Sequence, residues 1–187
     1  ADSRIAEVLV TGVNYDEGTR KTFTTIKFLE YDSQGKPLAP QYFTFSGNII
    51  QFQSLVIRFD DSLVRKGDWL KGKSAFIFWK VFMLDGKDTK EFLIHAAGAI
   101  PTGYKLTDRR DWAEEKFWRS FWQYTFDRDA AARAGVKNAQ IEAPGSIFVP
   151  GTIYSIRIEH DGGIRIDTEP IREILKDELR ATRPIAT

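Results

Sequence analysis

The chain has 187 residues, with 27 Lys and Arg against 26 Asp and Glu, a formal charge of +1 at pH 7, and no cysteine. Its length and 42% apolar content fit a single folded domain over 1–187, while the balanced charge argues against a nucleic-acid binder, which needs a Lys/Arg excess on one face. The lack of cysteine excludes disulfides, thiol catalysis and thiolate metal sites, and leaves an aromatic load of 14 Phe, 5 Trp and 6 Tyr to be explained.

Ile5 to Val13 is a β-branched run that reads as a strand. In Thr22 to Tyr31, Phe23, Thr25, Lys27, Leu29 and Tyr31 share one phase, and Ile26 and Phe28 the other. Apolar residues in both phases predict a strand inside a sheet covered on both sides. Ser33-Gln34-Gly35-Lys36-Pro37 is turn chemistry, and the next strand opens at Gln41 with Tyr42, Phe43 and Phe45. From Asn48 to Phe59 the phase changes from Ile50 and Phe52 to Leu55, Ile57 and Phe59, which predicts a β-bulge or a sheet-switching corner. Ser74 to Leu84 is a further strand, Asp85-Gly86 a hairpin turn, and Glu91 to Ile100 the returning strand.

After Thr107 the period changes. Asp111-Trp112-Ala113-Glu114 has the form of a capping box, and Trp118, Phe121, Trp122 and Thr125 recur at i, i+3, i+4 and i+7, so Asp111 to Phe126 is expected to be a helix. Asp129 to Ala134 predicts a second short helix closed by Gly135. Ser146 to Val149 and Thr152 to His160 return to the β pattern. A three-residue loop at Asp161-Gly162-Gly163 would oppose Ile158 with Ile166 and His160 with Ile164, keeping one face apolar. Pro170 to Arg180 predicts a C-terminal helix with proline at its first position. The expected fold is β-dominated α+β: an antiparallel β-sandwich or open barrel of about eight strands, with one aromatic-rich helix packed on it and a short C-terminal helix.

Gly67-Asp68-Trp69-Leu70-Lys71-Gly72-Lys73-Ser74 satisfies the phosphate-loop pattern, in which backbone amides, a lysine and a hydroxyl hold phosphates and Mg²⁺. That chemistry needs a helix after Ser74, whereas the residues that follow read as a strand. A Gly/Lys-rich β connection is the plainer reading, and no cofactor is expected. His95 and His160 have no second histidine at ligand spacing, so no metal is expected either. A hydrolase or lyase would need His95 or His160 to meet Glu142 or Asp161 in a pocket.

The helix from Asp111 to Phe126 carries Trp112, Phe117, Trp118, Phe121, Trp122, Tyr124 and Phe126, more aromatics than one buried stripe requires. Phe117 and Tyr124 fall off the face made by Trp118, Phe121 and Trp122, and together with Trp112 they are the candidate ligand-binding residues. The competing reading lays the helix across the sheet, wrapped by the Val136 to Pro150 segment.

Phe43-Thr44-Phe45-Ser46-Gly47-Asn48-Ile49-Ile50, Leu55 to Asp61, Gly67 to Ser74, Phe117-Trp118 through Trp122, Glu142-Ala143-Pro144 and Tyr154 to Ile166 resemble an uncharacterised bacterial family. Its members have an N-terminal membrane anchor and one extracytoplasmic domain. The resemblance implies a periplasmic or extracytoplasmic, membrane-anchored location, and brings no activity or site residues with it. The expected function is a non-enzymatic binding or interaction domain of the cell envelope. Its partner would be a protein or small ligand, with no nucleic acid and with membrane contact through the N-terminal anchor only.

Overall fold

The computed structural model describes residues 4–59, 74–85, 88–101, 103–104, 112–142, 145–159 and 162–176. In chain order, β1 (Arg4–Asp16), β2 (Lys21–Glu30), β3 (Gln41–Phe45), β4 (Ile49–Phe59), β5 (Ser74–Asp85) and β6 (Asp88–Leu93) precede the helices α1 (Trp112–Phe126) and α2 (Arg128–Arg133). Then come β7 (Val136–Glu142), β8 (Ser146–Ile147), β9 (Thr152–Ile158) and β10 (Ile164–Pro170). They form two open antiparallel sheets, one ordered β10-β9-β1-β2-β3 and the other β6-β5-β4-β7 with β8 also paired to β4.

The arrangement is a β-sandwich with a helical layer on its second sheet. Between the sheets lies a core that includes Phe28, Phe45, Phe52, Phe78 and Phe148, each fully buried. Each such side chain contributes about 1.5–3 kcal/mol relative to exposure. A second core, of Leu55, Ile57, Ala75, Ile77 and Trp79 with Trp118, Phe121 and Trp122, joins the outer face of the second sheet to α1. The second sheet is therefore the middle layer, and its central strands carry apolar residues in both phases because both faces are covered.

That placement corrects two expectations. β2 runs between β1 and β3, but only its Thr24, Ile26, Phe28 and Glu30 row is buried; Thr25, Lys27, Leu29 and Tyr31 are half-buried. The doubly covered strands are β4 and β5 instead. In β4 there is no change of phase: Ile50, Phe52 and Val56 face the first core while Leu55 and Ile57 face the second. The bulge sits across the ladder in β5. Gln53 pairs with Lys80 and Ser54 with Phe78, which leaves Trp79 as the extra residue. Phe76 and Phe78 before it, and Val81 and Met83 after it, all reach the first core.

Other boundaries moved for local reasons. β5 and β6 pair antiparallel with Asp85 opposite Asp88, Gly86 itself lying outside the described residues, but the returning strand runs from Asp88 and stops at Leu93, short of Ile100. The Val136 to Pro150 segment opens as a strand rather than as a wrap around the helix: β7 pairs along β4 from Phe59 opposite Val136 to Gln53 opposite Glu142, and Val136 joins the core beneath α1. In the last hairpin Ile158 faces Ile164, not Ile166, and Ile156 faces Ile166. The apolar face survives this shift because the displacement is an even number of residues. Gly162 takes a left-handed φ of 91°, its N–H donating to the Glu159 carbonyl at 2.8 Å. Pro170 ends β10 opposite Thr152 rather than starting a helix, and a helical turn follows at 173–176.

On the outward side of the first sheet the Tyr31 hydroxyl donates to Glu7 Oε2 at 2.6 Å. This bond, with burial and the carboxylate charge behind it, pushes the Tyr31 phenol up to about 12. A raised phenol stabilises the fold fully below its ordinary value of 10.0, and that contribution is lost as pH rises toward about 12. Titration of tyrosinate absorbance is expected to show this late step, and Tyr31→Phe to remove it. Loss of some other, earlier step in that variant would place the bond elsewhere.

Candidate functional site

Helix α1 is built for two environments. Glu114 and Glu115 lie in its first turn, where carboxylates complement the helix dipole. Trp118, Phe121, Trp122 and Thr125 are buried on its inner face. The Trp122 indole N–H donates to the Ala99 carbonyl at 2.6 Å, which satisfies its polar edge inside the core. At the far end the Asp127 side chain caps α2 by accepting from the Ala130 N–H at 2.8 Å, and Gly135 closes α2 with φ 70°.

The candidate aromatics do not converge. Phe117 and Tyr124 sit seven residues apart on one flank, half-buried and packed against the second core. Phe117 meets the Trp118 ring edge-on at 5.1 Å. Trp112 stands apart, 74% exposed, with Lys116 Nζ 5.2 Å from its ring centre. The aromatic that shares its outward direction is Phe126, 57% exposed, stacked on Trp122 at 6.0 Å and 5.9 Å from Trp79. Its signal in the sequence was its place four residues after Trp122, at the end of the inner stripe. Along the outward line Trp112, Lys116, Arg119, Gln123 and Phe126 are all exposed, separated by steps of four, three, four and three residues that keep them on one side of the helix.

A second constellation is polar and internal. Glu30 ends β2 with 3% exposure and accepts from three donors: Arg4 Nη2 at 3.2 Å, the Tyr104 hydroxyl at 2.7 Å and His95 Nε2 at 2.7 Å. The Arg4 guanidinium lies 3.4 Å over the Tyr104 ring centre, and His95 meets the same ring edge-on at 5.3 Å. Burial, and next the Glu30 charge, push the Tyr104 phenol well above its ordinary value against the opposing charge of Arg4, so it remains a neutral donor. Arg4 Nε is buried without a hydrogen-bond partner.

The histidine–carboxylate meeting thus occurs, with Glu30 as the acid. His95 is 7% exposed and one of its ring nitrogens is committed to Glu30, so a proton could reach a substrate only through Nδ1 of an interior side chain. The cluster ties the start of β1 and the end of β2 to His95 and Tyr104. Arg4 follows the inward phase of Ala6, Val8 and Val10, and Glu30 that of Ile26 and Phe28. A charged residue on a buried strand phase was the signal for both.

Gly67 to Lys73 lie outside the described residues, as do His160 and Asp161. Ser74 begins β5 opposite Arg58, a strand where a phosphate loop needs a helix. Glu142 ends β7 opposite Gln53. Among the described residues no group of three His, Asp or Glu side chains is placed to hold a metal ion, and no helix is long and apolar enough to cross a membrane. Comparison of the chain with protein-family models, with curated proteins and with solved structures finds no match in any of the three.

Proposed function

We propose that this domain is a non-enzymatic interaction module of the bacterial cell envelope, and that it engages its partner through the outward side of α1. The observation behind this reading is that a helix whose inner face is saturated with buried aromatics also presents Trp112 and Phe126 at 74% and 57% exposure. The two rings flank exposed cations on one side of the same helix, and exposed aromatic rings are among the side chains that anchor interfaces. The polar cluster at Glu30 is buried, so among the described residues it does not compete with this reading as an accessible site. The resemblance to anchored extracytoplasmic domains supports the location.

Because the Trp112 ring stands clear of the core, Trp112→Ala should leave the unfolding free energy within about 0.5 kcal/mol of the parent, while Phe126→Ala, whose ring stacks on Trp122 and meets Trp79, should cost about 0.5–1.5 kcal/mol. Urea denaturation measures this, and a loss of several kcal/mol would place the ring in the core instead. The function is tested by a photo-crosslinking amino acid at position 112 or 126 in bacterial cells, with position 34 in the exposed Ser33–Lys36 turn as the control. Discrete crosslinked species, protein or lipid, are expected from 112 and 126 and not from 34. Identical patterns from all three positions would overturn the reading.

A further inference from the structure

Resting on that reading, we propose that the partner of the outward line of α1 is an anionic lipid surface. Both charged side chains on the line itself, Lys116 and Arg119, are cations. Neither forms an ion pair among the described residues, and Glu115 at the margin is the one exposed carboxylate of the helix. α2 sets Arg128 and Arg133 against Asp127 and Asp129 and is neutral, so the attraction comes from the line.

The spacing favours lipid over an acidic protein. A protein hot spot gathers its anchors at the centre of a packed patch. Here the two rings lie roughly 21 Å apart along the axis, at 1.5 Å per residue, with the cations between them on the convex side of a helix. A planar interface accepts that arrangement. Trp and Phe rings enter the headgroup region, while the Lys and Arg stems lie along it and place their charges at the phosphates. The contact is additional to any N-terminal anchor, and it would hold the domain flat against the bilayer with α1 in the interface plane.

Two cations close to the surface favour anionic over neutral vesicles roughly 30-fold, equivalent to about 1 kcal/mol for each. The test is co-sedimentation of the 187-residue chain with phosphatidylcholine vesicles and with equal mixtures of phosphatidylcholine and phosphatidylglycerol. A preference of that order for the anionic vesicles is expected, weakening as salt rises. The double variant K116E/R119E should abolish it, and W112A should reduce binding several-fold, both with the parent's urea midpoint; F126A should reduce binding likewise while remaining folded under the assay conditions. Equal partitioning into both vesicle types, or an unchanged preference in K116E/R119E, overturns the proposal. If vesicles fail while polyglutamate binds, or while position 112 crosslinks a protein, the lipid assignment is lost and the interaction module stands; if all of these fail, both readings fall.

Discussion

Replacing Glu30 with alanine is expected to lower the unfolding free energy by about 3–5 kcal/mol, the cost of leaving a buried charge without its partner. Glu30 accepts from Arg4, His95 and Tyr104 at once, so its removal leaves all three without this acceptor in the interior, the Arg4 cation among them. Arg4, 7% exposed and already carrying an unpartnered Nε, has no water to turn to. Glu30→Gln is expected to recover only part of this loss, because its neutral amide does not balance the Arg4 charge and has one oxygen in place of the two that accept from Arg4, Tyr104 and His95. Urea denaturation of the two variants measures the loss, and a cost below about 1 kcal/mol would mean that the guanidinium reaches solvent. The Arg4–Glu30 pair is not in itself a large source of stability, since buried ion pairs offset most of their own desolvation. Its effect lies in specifying which segments meet.

Phe121→Ala is the second large effect, about 3–5 kcal/mol for an aromatic ring deleted from a packed core. Phe121 is fully buried, between Trp118 at 5.2 Å and Trp122 at 5.2 Å, where α1 meets the second sheet. The variant should lose much of its near-ultraviolet aromatic dichroism while keeping the far-ultraviolet β signal, because Trp79, Trp118 and Trp122 depend on this layer and the Phe-rich core between the sheets does not. Unchanged aromatic dichroism would show that the tryptophans are ordered by the sheet alone. Beside the near-neutral Trp112→Ala, this variant separates the inner face of the helix from the outer.

Much of the architecture was legible in the sequence. Turn chemistry at Asp85-Gly86, the helical period of Trp118, Phe121, Trp122 and Thr125, and the glycine after α2 are local signals, and each marks the element it predicted. The misreading of β4 and β5 has one physical cause. A strand buried on both faces shows apolar residues in both phases, so β4 imitated a bulge it lacks while β5, equally apolar, concealed the one at Trp79. β7 was missed because Lys137, Asn138 and Gln140 dilute its pattern, and its pairing with β4 depends on partners distant in sequence.

The candidate site was legible in part. The helix stood out by its aromatic surplus, yet Phe117 and Tyr124 proved to be flank residues of the core, and Phe126 was the ring that joined Trp112 on the outward line. Helical angles give directions about one axis and do not tell which of several non-core directions a neighbouring layer will cover. The Glu30 cluster was legible only as two charges on inward strand phases. Its members come from distant parts of the chain, 74 residues apart for Glu30 and Tyr104 and farther still for Arg4 and Tyr104, and only the closed fold brings them together.

The pairing of β1 with β9, from Arg4 opposite Ile158 to Leu9 opposite Ile153, has a consequence for biosynthesis. During translation, β1 and β2 can form their hairpin as soon as residues 4–30 are made, but the other edge of β1 has no mate until residues 152–158 appear. Through most of synthesis the nascent chain therefore carries an open edge beside a growing apolar face, the arrangement most prone to pairing with a neighbouring chain. Closure awaits a contact of very long sequence separation, which makes it slow. The chain's yield in cells should accordingly depend on whatever shields that edge while the last strands are being added.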